Sequence, residues 1–325
     1  MTANNHPFIS ILIPVYNVAD YVTECMQSIL AQIDERANVI LMNDGSTDNS
    51  REVIEAFSSH PQVTIHDAPH NRGLSATRNA LLPFATGEYV WFIDSDDVMH
   101  EGAYAKIIER LTDEPVDVLF GDYIAWRGNY RRTKRSFEGR ANHVFHNDNE
   151  SFFRNLVATN SNFVWCKIYK KSVIDNISYQ VGKKFEDIYY MADLAEFCQT
   201  YSYLKYPLID YREREGSIVK SMDKQYVDDF LGGYLYAVCQ WQSRIDEKTH
   251  PDQDFIFYKT YSRFASMVAE LDELGRQDLF DHVKSEFTPK FNVYRDQVSS
   301  KLGWLSYRKF KSKVKSVEQI FAKND

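Results

Sequence analysis

Gly87-Glu88-Tyr89-Val90-Trp91-Phe92-Ile93-Asp94-Ser95-Asp96-Asp97 is the stretch whose reading decides the fold class of this chain. A glycine turn opens onto an apolar run of strand composition, and the run ends on three carboxylates within four residues. Such a run reads as a buried central strand, and like charges gathered at its end repel one another unless a cation neutralises them. All-oxygen ligands suit a hard ion such as Mg²⁺ or Mn²⁺. A plainer reading makes these acids the cap of a following helix that starts near Glu101, a role that suits Asp97. Asp94 and Asp96 ask for more, because the preceding residues supply a matching site.

Working outward, Phe8 to Val15 is another apolar strand, and it ends in the polar turn Tyr16-Asn17. Val18 to Ala31 then carries apolar residues at helical spacing. Val39 to Asp44 reads as a second strand running into Gly45-Ser46-Thr47-Asp48, which has the composition of a helix N-cap. Val63 to His66 is a third, followed by Asn71-Arg72-Gly73 and a helix from about Leu74 to Phe84. Strands alternating with helices over short connections give a mainly parallel sheet covered by helices. Ligands of such sheets bind outside the carboxyl ends of the strands, and every polar cluster named here falls at one of those ends. This places a nucleotide-type site there.

The motifs resemble those of family-2 glycosyltransferases with the GT-A fold. Ile13-Pro14-Val15-Tyr16-Asn17, Asn43 to Asp48, Asn71 to Asn79 and Asp94-Ser95-Asp96 match in order and separation. Trp165 to Tyr169, Glu186-Asp187-Ile188 and Tyr211 to Ile218 match the acceptor half of the same family. The resemblance covers residues from about 8 to 220. It implies a catalytic domain over 1–220, with a nucleotide-sugar half at about 8–100 and an acceptor half at about 101–220, followed by a helical C-terminal domain over 221–325.

The resemblance also implies roles. Pro14 and Tyr16 would flank the base and ribose of a nucleotide-sugar, usually a UDP-sugar, with Asn17 in the same turn. Asp44 would accept a hydrogen bond from the uracil imide. Asn71 and Arg78 would lie beside the nucleotide and its diphosphate. Asp94, with Ser95, would sit near the ribose and sugar hydroxyls, and Asp96 would bind Mn²⁺ or Mg²⁺. A departing UDP concentrates negative charge, which a divalent cation stabilises as a Lewis acid. Arg212 and Arg214 would add guanidinium donors to the diphosphate, with Ser217 nearby on a closing loop. From composition alone the Arg-Glu-Arg-Glu run reads as a solvated charged loop. Asp187 would be the base that takes the acceptor hydroxyl's proton, with Glu186 orienting the acceptor or that base. The same two acids also suit a helix N-terminus.

Trp165, Tyr169, Phe185 and Tyr189 have the composition to stack on a sugar, yet aromatics at such spacing are more often core. His66, His70 and His100 form no metal-spaced set. Neither GxGxxG after the first strand nor GxxxxGK[ST] is present, which takes the main support from dinucleotide-oxidoreductase and P-loop readings. A nucleotidyltransferase would carry a glycine- and lysine-rich loop where Pro14-Val15-Tyr16-Asn17 stands.

With 325 residues, 44% of them hydrophobic, the chain has material for a full core. A net charge of −8 gives no nucleic-acid footprint. Cys25, Cys166, Cys198 and Cys239 are scattered, without a CxxC, and read as reduced buried thiols of a cytoplasmic protein. The N-terminal residues have no signal-peptide pattern, and no run is long and apolar enough to span a bilayer. Trp126 to Tyr130 reads as a hairpin turn, and the basic residues Arg131 to Arg135 that follow suit either an anionic acceptor or solvent. Beyond residue 221 helical stripes are suited to packing on the catalytic part, to pairing two chains as a homo-oligomer, or to meeting a partner enzyme. Residues 301–315 mix basic and aromatic side chains without an acid. They read either as peripheral contact with the anionic inner face of the cell membrane or as a solvated helix; a lipid-linked acceptor favours the first.

The expected activity is metal-dependent inverting transfer of a sugar, from a UDP-sugar to a hydroxyl of a glycan or lipid-linked glycan, in bacterial surface-polysaccharide synthesis. The second reading is a non-catalytic scaffold that keeps the fold.

Overall fold

Every residue of strand β1 (Ile9–Val15) is buried, as its sequence, apolar but for Ser10, requires of a central strand. It lies between β2 (Ala37–Asn43) and β4 (Tyr89–Phe92), parallel to both, and β3 (Val63–Asp67) continues the parallel order beyond β2. The crossovers are α1 (Val22–Leu30), α2 (Ser50–Glu55) and α3 (Leu74–Leu81). The computed structural model describes residues 7–146, 148–159, 161–213, 222–244 and 251–324.

Register puts the strand ends together. Val15 pairs with Asn43, Asn43 with Asp67, and Leu12 with Phe92. The loops at Tyr16-Asn17, Asp44 to Asp48, Ala68 to Gly73 and Asp94 to Asp97 therefore leave the sheet at one edge.

The second half of the sheet is mixed. After β5 (Val98–Met99) and α4 (Ala103–Asp113) come β6 (Val118–Arg127), β7 (Tyr130–Lys134) and β8 (Val144–His146). Further along lie α5 (Asn149–Thr159), β9 (Lys167–Lys170), α6 (Lys171–Ile174), α7 (Glu186–Phe197) and β10 (Thr200–Arg212). The sheet order is β3-β2-β1-β4-β9-β6-β10-β5, with β7 on β6 and β8 on β10. Its hinge of direction is β9, antiparallel to both β4 and β6. Because β9 runs backwards, the residues before it (161–166) arrive at the edge where β4 ends. Strand β10, parallel to β6, brings Arg212 to the same side, opposite Trp126. Gly128, with φ +55°, turns the expected β6–β7 hairpin.

Asp97 does not cap a helix. It is buried and accepts the main-chain N–H of Arg212 at 2.9 Å, while Gly102, at φ +76°, precedes α4. The expectation of four buried thiols is corrected at Cys239, which is exposed; Cys25, Cys166 and Cys198 are buried, and all four are free.

The chain divides into two units, Met1–Asn149 with Ser161–Ser217 and Glu150–Asn160 with Ile218–Asp325. The second unit is helical: α5, α8 (Lys224–Gln242), α9 (Gln253–Glu273), α10 (Gln277–Glu286), α11 (Thr288–Gln297) and α12 (Trp304–Lys323). Asp223 caps α8 by accepting the Tyr226 N–H at 2.7 Å. Helix α9 is the centre of the unit, where Phe264 stacks on Phe291 at 4.9 Å. The sequence pattern had no place for α5 in this group; Arg154 of α5 pairs with Asp252, and Phe153 stacks on Trp241. No helix among the described residues is long and apolar enough to cross a membrane.

Ser10 locks the opening motif to the sheet. Its buried hydroxyl donates to Asn38 Oδ1 at 2.7 Å and accepts the N–H groups of Thr86 and Gly87. A Cβ on Gly87 would lie 2.6 Å from the main-chain nitrogen of Ser10, too close for β1 to stay in place. Gly87→Ala is therefore expected to cost about 1–3 kcal/mol, as overpacking does, read from the urea midpoint; an unchanged midpoint would refute this close packing.

Candidate active site

The first two loops at the strand edge are stitched by Asn17. This residue sits at φ +51°, and its side-chain oxygen accepts the N–H of Thr47 at 2.8 Å. Its own N–H donates to Ser46 Oγ at 3.2 Å. Asp48 accepts the N–H of Ala19, and Ser50 Oγ that of Val18. Beside Asn17, Tyr16 is 42% exposed, whereas Pro14 is buried inside β1 opposite Met42.

Asp44 is buried, and its carboxylate holds the third loop. It accepts the N–H of Arg72 at 3.0 Å and that of Gly73 at 2.9 Å. Asn71, exposed, accepts the Gly73 N–H as well. A carboxylate offers about four acceptor sites, so these amides leave Asp44 capacity for a further donor.

Arg78 joins the two halves of the site. It leaves α3 with only 1% exposure. Its NH1 donates to Glu186 Oε1 at 2.7 Å and Asp187 Oδ1 at 3.1 Å, and its NH2 to Asp94 Oδ1 at 2.8 Å. The guanidinium also lies 5.4 Å from the centre of the Tyr179 ring. Arg78 thus stands buried among three carboxylates.

Glu186 and Asp187 open α7, as the helix-start reading expects. The chain enters this helix through Phe185 in the left-handed region, at φ +56°, which costs on the order of 1–3 kcal/mol for a bulky residue. Burial raises the carboxyl pKa of both acids against the opposing pull of Arg78; Asp187 reaches about 7. The other Asp187 oxygen faces the Val164 N–H at 3.4 Å. That segment is held by Lys167, whose buried ammonium donates to the carbonyls of Ser161, at 2.9 Å, and of Phe163. Burial lowers the pKa of Lys167.

On the far side of Asp94, Ser95 is buried and Asp96 partly exposed. Arg212 wraps this turn: its Nε donates to the Asp96 carbonyl at 3.0 Å and its NH2 to Glu24 at 2.5 Å. Trp126 carries two guanidinium groups, Arg212 at 4.0 Å and Arg131 at 4.3 Å from the ring centre. Arg131 in turn pairs with Asp210, as does His100 at 2.7 Å, so His100 has a structural partner. Asp97 lies behind the turn, where burial and the charges of Asp96 and Asp94 hold its carboxyl far above the usual range. Arg214 and Ser217 lie outside the described residues.

Among the described residues no three His, Cys, Asp or Glu side chains converge as a ready-made metal cage. The donor set fits a hard cation held otherwise: partly exposed carboxylates at a strand edge suit Mg²⁺ or Mn²⁺ that completes its shell with water and phosphate oxygens. Trp165 is core rather than sugar platform, stacked between Phe163 at 5.0 Å and Tyr211 at 5.1 Å.

The sequence model of Glycosyl transferase family 2 matches residues 10–177, just over half of the 325 residues. The chain belongs to that family. It is 29% identical over 225 residues to glycosyltransferase GlyA of Streptococcus pneumoniae, a match that takes in 67% of this chain and 32% of GlyA. The chain thus spans about a third of that relative. A hyaluronan synthase of Pasteurella multocida is 42% identical over 119 residues, 36% of this chain and 12% of that protein. Among solved structures, S. aureus TarS 1–349 in complex with UDP-GlcNAc superposes with a TM-score of 0.72 at 20% identity, over 96% of this chain and 90% of that one. The fold of this glycosyltransferase is GT-A, a mostly parallel α/β sheet with a helical C-terminal region.

Glu24 and Tyr179 escaped the sequence reading of this glycosyltransferase, while Trp126 entered it only as part of a hairpin turn and Lys167 only within the Trp165 to Tyr169 motif. Arg78→Ala is expected to cost roughly 3–5 kcal/mol, the usual result of stripping a buried counterion. Arg78→Lys should recover part of this, since one ammonium cannot reach all three acids. Urea unfolding checks both, and a loss below about 1 kcal/mol for the alanine variant would contradict the shared-counterion role.

Proposed function

We propose that the chain transfers a sugar, with inversion, from a UDP-sugar to a hydroxyl of a glycan or lipid-linked glycan in bacterial surface-polysaccharide synthesis. The observation that carries this is the Arg78 junction. It ties Asp94, at the donor edge, to Glu186 and Asp187, at the mouth of the acceptor half. The names of the relatives lend support: one makes hyaluronan, and TarS holds UDP-GlcNAc.

In this reading Tyr16 and Pro14 line the base, Asn17 and Asn71 shape the loops around it, and Asp44 meets the uracil imide. Asp94 and Ser95 sit by the ribose and sugar. Asp96 holds the Mn²⁺ or Mg²⁺, which supplies Lewis-acid stabilisation of the departing diphosphate. Arg212, with Arg214 and Ser217, contributes donors to the same charge. Asp187 takes the proton of the acceptor hydroxyl as its oxygen bonds to the anomeric carbon. The bond from that carbon to the diphosphate breaks, and UDP leaves with the electron pair. Glu186, sharing Arg78 with the base, orients it.

Arg78 also explains how a buried carboxylate stays usable. Burial alone would keep Asp187 protonated; the guanidinium pulls against burial and leaves its pKa at about 7. A base acts only when ionised. Activity of the free enzyme, kcat/KM, should therefore rise with pH through about 7 and level off above it. Asp187→Asn should keep donor affinity and lose transfer by about 10²–10⁴-fold. Undiminished turnover would remove Asp187 from the role.

The decisive experiment is thermal unfolding against a panel of nucleotide-sugars with and without Mn²⁺. A ligand specific to the native state raises stability by about 2.7 kcal/mol at a hundredfold excess over its Kd. A shift with one UDP-sugar that needs metal supports the reading, and Asp96→Ala should abolish it. No shift with any nucleotide-sugar would turn the weight to a scaffold that keeps the fold.

A further inference from the structure

Helix α12 places its apolar residues on two opposite faces. Phe310 and Val317 are buried, and Phe310 meets the rings of Tyr258 and Tyr261 at 6.1 and 5.7 Å. At 3.6 residues per turn the opposite face carries Trp304, Arg308, Lys311 and Lys315 in one row, with Leu305 and Lys309 beside it. Trp304 is 71% exposed and Leu305 64%. They form the first turn of the helix, where an ordinary solvated helix would put polar residues.

The position of this turn is built, not frayed. Ser299 donates its hydroxyl and its N–H to Asp254 at 2.6 and 2.7 Å, and its Oγ caps the short turn Ser300–Leu302. Gly303, at φ +87°, then swings the chain into α12. Arg308 lies over the Trp304 ring at 5.6 Å, and Lys311 over Tyr307 at 5.5 Å.

Charge selects the occupant. The chain carries −8 overall, yet no acid occurs between Asp296 and Glu318. Lys301, Arg308, Lys309, Lys311 and Lys315 are all exposed in that interval. Lysine is depleted at protein–protein interfaces, where arginine is the enriched cation. Four lysines to one arginine around an exposed Trp-Leu pair match instead an anionic bilayer. There, tryptophan settles at headgroup level and lysines meet lipid phosphates through flexible stems. We infer that the outward face of α12, with Lys301, docks peripherally on anionic lipid, Trp304 and Leu305 entering the headgroup boundary.

This surface is independent of the donor reading, because its test needs no nucleotide. The full chain is sedimented with vesicles of phosphatidylglycerol and phosphatidylcholine, and with phosphatidylcholine alone. Retention on the anionic vesicles only, lost at high salt, is expected. Lys309→Glu with Lys311→Glu and Lys315→Glu, and separately Trp304→Ser with Leu305→Ser, should each lower binding at least tenfold without moving the unfolding temperature, since all five side chains are exposed. Tryptophan fluorescence should shift to the blue with anionic vesicles and lose that shift in Trp304→Phe. No retention on anionic vesicles overturns the inference and leaves the patch to an acidic protein partner. Wild-type retention in either multiple variant, or a blue shift that survives Trp304→Phe, overturns it too.

Discussion

One guanidinium with three carboxylates around it is the constraint on which the rest of the site depends. Asp94, Glu186 and Asp187 stand close together and only partly exposed, an arrangement that like charges resist unless a cation is shared among them. Arg78, itself buried, has no water to solvate it and is stable there only because it is surrounded by acids. Each side therefore requires the other. The requirement reaches the backbone: α7 must start with both acids facing Arg78, and the chain turns into it through Phe185 in a conformation a bulky residue rarely adopts.

The sheet makes this meeting possible. A wholly parallel sheet would send the residues before β9 to the far edge. Reversing β9 beside β4 delivers the segment 161–166, and with it the Val164 N–H that faces Asp187, to the carboxyl end of the donor strands. Lys167 then fixes that segment through two carbonyls. On the opposite flank, Arg212 is held by the Asp94–Asp97 turn, by Glu24 and by the Trp126 ring, which Arg131 shares. The basic hairpin, which in sequence suits either an anionic acceptor or solvent, is thus coupled to the Asp94–Asp97 turn.

Much of this was legible beforehand, for physical reasons. Buried parallel strands are continuous apolar runs, so β1, β2 and β4 announce themselves, and polar residues after such runs mark the edge where ligands bind. Asp94 was visible as a carboxylate at the end of an apolar strand, whereas Glu186 and Asp187 stood out only through the resemblance to the family, since composition alone reads them as a helix start. The partner of Arg78 was not. An arginine inside an amphipathic helix looks the same whatever anion it faces, and Glu186 and Asp187, 108 and 109 residues away, meet Arg78 only through the fold. Asp97 misled in the same manner: its neighbours suggested a helix cap, while β10 supplied an amide that drew it inward. Glu24 and Tyr179 carry no local pattern at all.

The amino-acid sequence by itself determined the family, the alternation of strands and helices, the strand ends where the polar motifs gather and the helical character of the C-terminal region, since all of these follow from local periodicity and short motifs. Only the tertiary structure decided which charges neutralise which, how far burial lifts Asp187, that α5 joins the C-terminal helices, and that Trp304 and Leu305 face outward. Charge pairing and burial depend on residues far apart in the chain being brought within a few ångströms, and no local pattern encodes that distance.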